Sequence, residues 1–226
     1  MNTRAMSPKI TAFVPIRLNS TRLPKKMLLK LGDKALCHYI FPSLLQTQQI
    51  NSVYAFCSNK LIMEHIPEGV LHLERDRKLD ENSVKGIEIW KSFVELVDSD
   101  IYIMAFATAP FVSSKSIEKA LSAVASGEYD SAFCVQKFQT FAWYKGQPLN
   151  YNLDDIQGTQ YINPVYLETN SFFIFRREIL TEHSRRIGFK PYMQELDVIE
   201  SIDIDTKEDF ELAQKILPIF LNQNSF

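Results

Sequence analysis

The chain has 226 residues, 46% hydrophobic and 23% charged, with a formal net charge of −2. That composition suits one α/β domain spanning residues 1–226 with a sizeable core, and the near-neutral balance excludes a general nucleic-acid binder. No apolar run approaches the roughly eighteen residues of a membrane span, and residues 1–9 lack the apolar stretch of a secretory leader, so the expected location is the cytoplasm.

Residues 10–16 form an apolar run that reads as a buried first strand. The chain then opens into a polar loop carrying Arg17, Asn19, Ser20, Arg22, Lys25 and Lys26, with no Asp or Glu before Asp33. Fixed cations and exposed backbone N–H groups both stabilise phosphate oxygens, so a strand feeding this loop suits a polyanion. A solvated basic turn is the plainer reading. The position directly after the first strand of an α/β pattern favours a ligand site. The loop matches neither GxxxxGK[ST] nor GxGxxG.

Strand and helix signals then alternate. A first helix is expected over 36–45, with Pro42 forcing a kink or an early turn. Strands are expected at 52–58 and 70–73. Val84, Ile87, Trp90, Val94 and Val97 keep helical spacing over 83–97, with Asn82 or Ser83 as the cap. A strand follows at 101–105, a helix at 114–125 and a strand at 131–135. This rhythm predicts a Rossmann-like, doubly wound, mostly parallel sheet.

Residues 136–168 break the rhythm. They hold Phe138, Phe141, Trp143, Tyr144 and Tyr151, with turn signals at 145–148 and 157–158, and read as an inserted hairpin excursion. Dense exposed aromatics mark contact surfaces; a lid folded back over its own sheet is the alternative. A core strand returns at 171–175. A last strand at 202–205 leads into a helix over 207–217. On that last strand Asp203 and Asp205 would share a face about 7 Å apart, fit to hold magnesium against a substrate phosphate. Asp205 or Thr206 serves equally as a helix cap, with Glu208 or Asp209 completing a capping box; a cap explains Asp205 but not Asp203. Cys37, Cys57 and Cys134 are scattered and apolar in context, and read as reduced core residues. The four histidines are dispersed and show no triad or ligand spacing.

The loop stands as Val14-Pro15-Ile16-Arg17-Leu18-Asn19-Ser20-Thr21-Arg22-Leu23-Pro24-Lys25-Lys26. It resembles the N-terminal signature of the sugar-activating cytidylyltransferases, roughly I-P-A-R-x-x-S-x-R-L-P-x-K, with Ile16 in place of Ala. Ser201 to Thr206 resembles the I-D-I-D-[ST]-x-x-D segment that ends the catalytic sheet of the acylneuraminate cytidylyltransferase (CMP-sialic acid synthetase) family. Residues 73–83 resemble the R-P-x-x-L-A-x-D-x-[ST] nucleotide segment, with Asp76 and Asp80 replacing Pro and Ala; a charged turn before a helix is the other reading. Ala107 to Phe111 resembles the A-T-A-P-F turn, preceded here by Phe106 where relatives carry Gln or His. Asn170 matches an Asn before a core strand, where a turn residue is equally at home. The resemblance runs from residue 10 to 217 and is strongest at its ends.

This resemblance implies transfer of CMP from CTP to the anomeric hydroxyl of an acidic 2-keto-3-deoxy sugar, a sialic acid or analogue, with release of pyrophosphate. Arg17, Lys26 and Asp205 would be catalytic. Arg17, Asn19, Ser20, Arg22, Lys26, Arg75 and Ser83 would bind the nucleotide, Phe106, Thr108 and Asn170 the sugar, and Asp203 with Asp205 a magnesium ion. Residues 136–168 would be the arm of a homodimer. Because Arg17 and Lys26 read as polar-loop side chains, truncating either is expected to cost little stability. Phe106 and the altered Arg75 segment leave room for a 3-deoxy-manno-octulosonate enzyme or a non-catalytic nucleotide-sugar-binding relative.

Overall fold

The computed structural model describes residues 7–20 and 22–223. Thr21 of the basic loop, and residues 1–6 on which the leader reading rests, lie outside the described residues. The first half contains β1 (Ile10–Pro15), a small hairpin of β2 (Lys30–Leu31) and β3 (Lys34–Ala35), α1 (Ile40–Gln46), β4 (Ser52–Cys57), β5 (Leu71–Glu74), α2 (Gly86–Leu96) and β6 (Ile101–Ala105). The second half contains α3 (Ser114–Ala125), β7 (Ser131–Phe138), a hairpin of β8 (Trp143–Tyr144) and β9 (Gln147–Pro148), β10 (Val165–Arg176), α4 (Arg177–Thr181), β11 (Pro191–Leu196) and α5 (Lys207–Gln223).

Seven strands form one sheet in the order β11-β7-β10-β6-β1-β4-β5. β1 pairs in parallel with β4 and β6, β4 with β5, and β11 with β7, while β10 runs antiparallel to both neighbours. The expected doubly wound, mostly parallel sheet is therefore present, with β10 its one reversed strand. α1 and α3 pack one face, α2 and α4 the other. The second face is an aromatic layer: Phe13 stacks on Phe93 with centroids 4.1 Å apart, and Trp90 on Phe175 at 5.8 Å. Each such fully buried ring contributes about 1.5–3 kcal/mol of burial. The layer also fixes where α2 begins, beside the carboxyl ends of the strands.

Four local expectations are corrected. The first helix starts late: Leu36–His38 is a 3-10 turn and α1 begins at Ile40. Pro42 thus sits in the first helical turn, where an N–H has no intrahelical partner to lose. α2 is preceded by Lys85 without a side-chain cap, so neither Asn82 nor Ser83 caps it; the Asn82 amide is bonded to Arg17 instead. Residues 202–205 are not a strand. Asp197 takes the N–H groups of Ile199 and Glu200 into a turn, and Ile204 then donates to Thr108 O at 2.9 Å, against the turn after β6. The true last strand is β11, whose sequence PYMQEL has no continuous apolar run because an edge strand buries only part of its surface. Finally, α5 continues past Pro218, since Leu217 and Phe220 pack with Leu31, Tyr39 and Phe111 and outweigh one lost helix hydrogen bond.

The 136–168 excursion is built as a continuation of the sheet. β7 and β10 pair from Val165 with Phe138 to Glu168 with Val135, beyond a register shift that separates this ladder from the core pairing. Trp143, Tyr144, Leu149, Ile156, Tyr161 and Leu167 remain exposed on it. The three cysteines are buried and free, and burial pushes the Cys37 thiol up to about 12, as fits packing residues. Among the described residues no helix is long and apolar enough to cross a membrane.

Candidate active site

Strand order reverses between β1 and β6: β4 and β5 follow on one side of β1, and β6 lies on the other. Open α/β sheets bind ligands at the carboxyl ends of strands at such a switch point. A cavity of about 280 Å³ lies there. Arg17 enters it just beyond β1, Ser20, Arg22 and Lys26 from the basic loop, and Phe106 and Thr108 from the turn after β6. Asn170 on β10, with Asp203 and Asp205 before α5, completes the wall.

The loop's missing counter-charge comes from nearly the other end of the chain. Lys26 is only 6% exposed and donates to Ile204 O at 2.7 Å and to Asp205 Oδ1 at 2.9 Å. Arg22, largely exposed, holds the other Asp205 oxygen at 2.8 Å. This corrects the picture of Lys26 as a solvated loop residue: its ammonium is buried and has two partners. Lys25 beside it takes a left-handed backbone with φ of 55°, a conformation that costs a non-glycine residue on the order of 1–3 kcal/mol and persists where the surroundings enforce it.

Asp205 does not cap α5. Thr206 Oγ1 accepts from Asp209 N at 3.2 Å, and Asp209 Oδ2 accepts from Thr206 N at 2.7 Å and Asp205 N at 3.0 Å. That reciprocal box leaves the Asp205 carboxylate to face the cations. Asp203 is in a different state. Burial pushes its carboxyl above the usual range, the charge of Asp205 adds to this, and the Thr108 hydroxyl, the Asn170 amide and Lys26 oppose it. Its Oδ2 accepts from Asn170 Nδ2 at 3.3 Å, while its Oδ1 is shielded from solvent without a hydrogen-bond partner. An orphaned carboxylate oxygen beside a second carboxylate fits a hard divalent cation. Among the described residues no third acidic, His or Cys side chain joins the pair, which suits magnesium, an ion that keeps waters and substrate phosphates as its other ligands.

The family model for cytidylyltransferases matches residues 11–226. The chain belongs to the cytidylyltransferase family. N-acylneuraminate cytidylyltransferase A of Danio rerio is 23% identical over 94% of this chain, which spans only 51% of that relative. The 3-deoxy-manno-octulosonate cytidylyltransferase of Christiangramia forsetii is 22% identical, covering 92% of this chain and 97% of its own. Among solved structures, a CMP:2-keto-3-deoxy-manno-octonic acid synthetase complexed with CTP superimposes with a TM-score of 0.69 at 14% identity, over 93% of this chain and 99% of that one. At that identity the likeness concerns the fold.

Of the residues singled out from sequence, the structure brings ten to this one cavity. Asn19 lines an adjoining groove of about 400 Å³ that meets the cavity at Ser20. Asn19 and Asp80 connect this groove to a larger one, about 980 Å³, with Ser58, Asn59 and Lys60 in its wall. Ser83 is exposed and belongs to neither the cavity nor these grooves. Arg75 reaches the cavity but is 2% exposed. Its guanidinium donates to Ile16 O at 2.9 Å and to Phe56 O at 3.5 Å, and pairs with Asp80. The departure at Asp80 thus has a role: it neutralises the buried arginine. Sequence reasoning missed Met27, Ile89 and Trp90 as cavity residues. Trp90 carried an apolar helical signal only, Ile89 lay off that apolar spacing, and nothing local says that the first turns of α2 face a cleft.

Proposed function

We propose that this chain is a nucleotidyltransferase that moves the cytidylyl group of CTP to the anomeric hydroxyl of an acidic 2-keto-3-deoxy sugar. The supporting observation is the convergence of Arg17, Arg22 and Lys26 with Asp203 and Asp205 at the switch point of a family-matched chain. The anomeric oxygen attacks the α-phosphorus, the bond to the β-phosphate oxygen breaks, pyrophosphate leaves, and the hydroxyl proton passes to solvent. Catalysis of this kind is positioning plus stabilisation of charge on the phosphate oxygens. Arg17 and Arg22 bind the triphosphate from the loop. Lys26, fixed by Ile204 O, presents a charge that does not have to be reorganised. Ser20 helps hold the loop against the nucleotide, and Thr108 and Asn170 orient the sugar. The nucleoside extends through the grooves beside Asn19, with Arg75 shaping the junction.

Asp203 and Asp205 would hold magnesium, which when bound neutralises charge on the phosphates and acidifies the attacking hydroxyl. With Asp205 serving that cation, Arg22, which now pairs with Asp205, would be available to phosphate. A sialic acid or analogue is the first acceptor class. A 3-deoxy-manno-octulosonate is the second, favoured by the full-length match to the Christiangramia forsetii relative. The exposed aromatic and aliphatic side chains of 136–168 support a homodimer joined through that arm; on this reading the enzyme is cytoplasmic, and the net charge of −2 argues against nucleic acid as a partner. Pyrophosphate release would test the reading, with CTP, UTP, ATP and GTP, a panel of 2-keto-3-deoxy acids, and magnesium present or chelated. Release with CTP alone, lost on chelation, is the expected result; equal release with another triphosphate, or none with any acid, would overturn it.

A further inference from the structure

The cleft has two unlike flanks. On the β4 and β5 side of the phosphate loop, the grooves are lined with Ser58, Asn59, Lys60 and Asp80, and their volumes of about 400 and 980 Å³ accommodate a nucleoside. On the β6 side, next to Asp203 and Thr108, the wall is apolar: Phe106, Trp90 and Ile89 all line the cavity. Phe106 and Trp90 pack on the same buried ring, Phe173, at 6.2 Å edge-on and 5.4 Å tilted. The Arg186 guanidinium sits 4.8 Å from that ring and pairs with Glu168 at 2.5 Å. The wall is therefore supported from behind. Phe106 brings no hydrogen-bonding side chain, and its N–H is already given to Ser171 O at 3.0 Å.

A sugar hydroxyl pressed on Phe106 would leave water and find no partner there, which is costly, whereas a C–H or methyl group gains by burial. Resting on the acceptor reading above, we propose that the sugar acid taken by this enzyme presents to the Phe106 wall a deoxy or methyl-bearing edge other than the C3 position that is deoxy throughout that acceptor class, and that Phe106 sets this specificity. The polar edge of the same sugar meets Thr108 and Asn170, which line the same cavity beside that wall.

The test uses the full chain with CTP and pairs of 2-keto-3-deoxy sugar acids that differ by hydroxyl against hydrogen at one carbon, each non-reacting carbon in turn. At one carbon or more, the deoxy member should be preferred in kcat/KM by roughly 10- to 100-fold, the range an apolar pocket achieves against an added hydroxyl. Phe106→Gln should shrink or invert that ratio with the KM for CTP unchanged, and Phe106→Leu should retain it. Calorimetric titration of the same acids reads the preference in binding, without turnover. Preference for the hydroxylated member at every carbon overturns the inference alone. So does a Phe106→Gln variant that shifts the KM for CTP and leaves the acceptor ratio intact, because the wall then serves the base. If neither acid of any pair binds or reacts, the inference falls together with the acceptor reading.

Discussion

The cleft and the 136–168 excursion break opposite rules of protein architecture. In the cleft, charge is taken out of water: Lys26 is buried, Asp203 has a shielded, unpartnered oxygen, and Arg75 lies wholly inside. In the excursion, apolar surface is left in water, with Tyr161 74% and Trp143 56% exposed. Both arrangements cost free energy in the isolated chain. On the reading proposed above, a partner would repay each: an anion and a cation in the cleft, a second apolar surface on the excursion.

The largest expected effect is at the two carboxylates. Asp203→Asn and Asp205→Asn should each lower magnesium-dependent turnover roughly a hundredfold or more, on the scale of removing one group that stabilises transition-state charge. Their stabilities should diverge. Asp205→Asn leaves the buried Lys26 ammonium without its counter-charge and should cost about 2 kcal/mol, less than a fully buried pair because Asp205 is partly exposed. Asp203→Asn should hold or raise the melting temperature at neutral pH. Its folded-state pKa is raised, so the contribution of its carboxyl is present below the unfolded pKa and is lost as pH rises through the folded one. Melting curves between pH 4 and 8 check this. A sharp loss of melting temperature in Asp203→Asn with full activity would make Asp203 structural and remove the metal site.

The cations of the loop come next. Arg17→Ala and Arg22→Ala should each lose a charge-assisted phosphate contact worth about 1.5–3 kcal/mol, read as kcat/KM for CTP, with stability within about 0.5 kcal/mol of wild type. Lys26→Ala should lose turnover and also about 2 kcal/mol of stability, because Ile204 O and Asp205 are left without their buried partner. Denaturant titration separates the two classes. Identical midpoints for all three variants would mean that Lys26 is no more structural than its neighbours, and the contrast with the solvated arginines would fail.

On the excursion, Tyr161→Asp with Leu167→Asp should convert a dimer to a monomer in light scattering at micromolar concentration, with the melting of the core sheet little changed. A wild-type protein that is already monomeric would instead favour the lid. The smallest effect is expected at Asp130, at the root of β7, where a carboxylate is ordinarily satisfied. Burial works to raise its pKa, but the N–H groups of Lys190 and Phe189 and the Ser131 hydroxyl outweigh it and hold the pKa low. Asp130→Asn should cost about 1 kcal/mol at neutral pH. With a lowered folded-state pKa, that difference is present above the unfolded pKa and disappears as pH falls through the folded one, opposite in sign to Asp203.

Most of the sheet was legible in the sequence, because buried parallel strands are short continuous apolar runs and the helices between them keep a 3.6-residue period. β11 was not, because an edge strand lacks that run, and residues 202–205 imitated a strand by alternation although only Ile204 is fully buried. Residue types and spacing likewise named the basic loop and the two aspartates. Tertiary structure alone decided what they meet. Asp205 neutralises a loop nearly 180 positions earlier, Asp80 neutralises Arg75, and α2 turns Ile89 and Trp90 toward the cavity. The physical reason is range. Periodicity, capping and turn chemistry act over a few residues and leave a local imprint on the sequence. The pairing of distant charges and the sharing of one cavity by six segments depend on strand order, which no local pattern encodes.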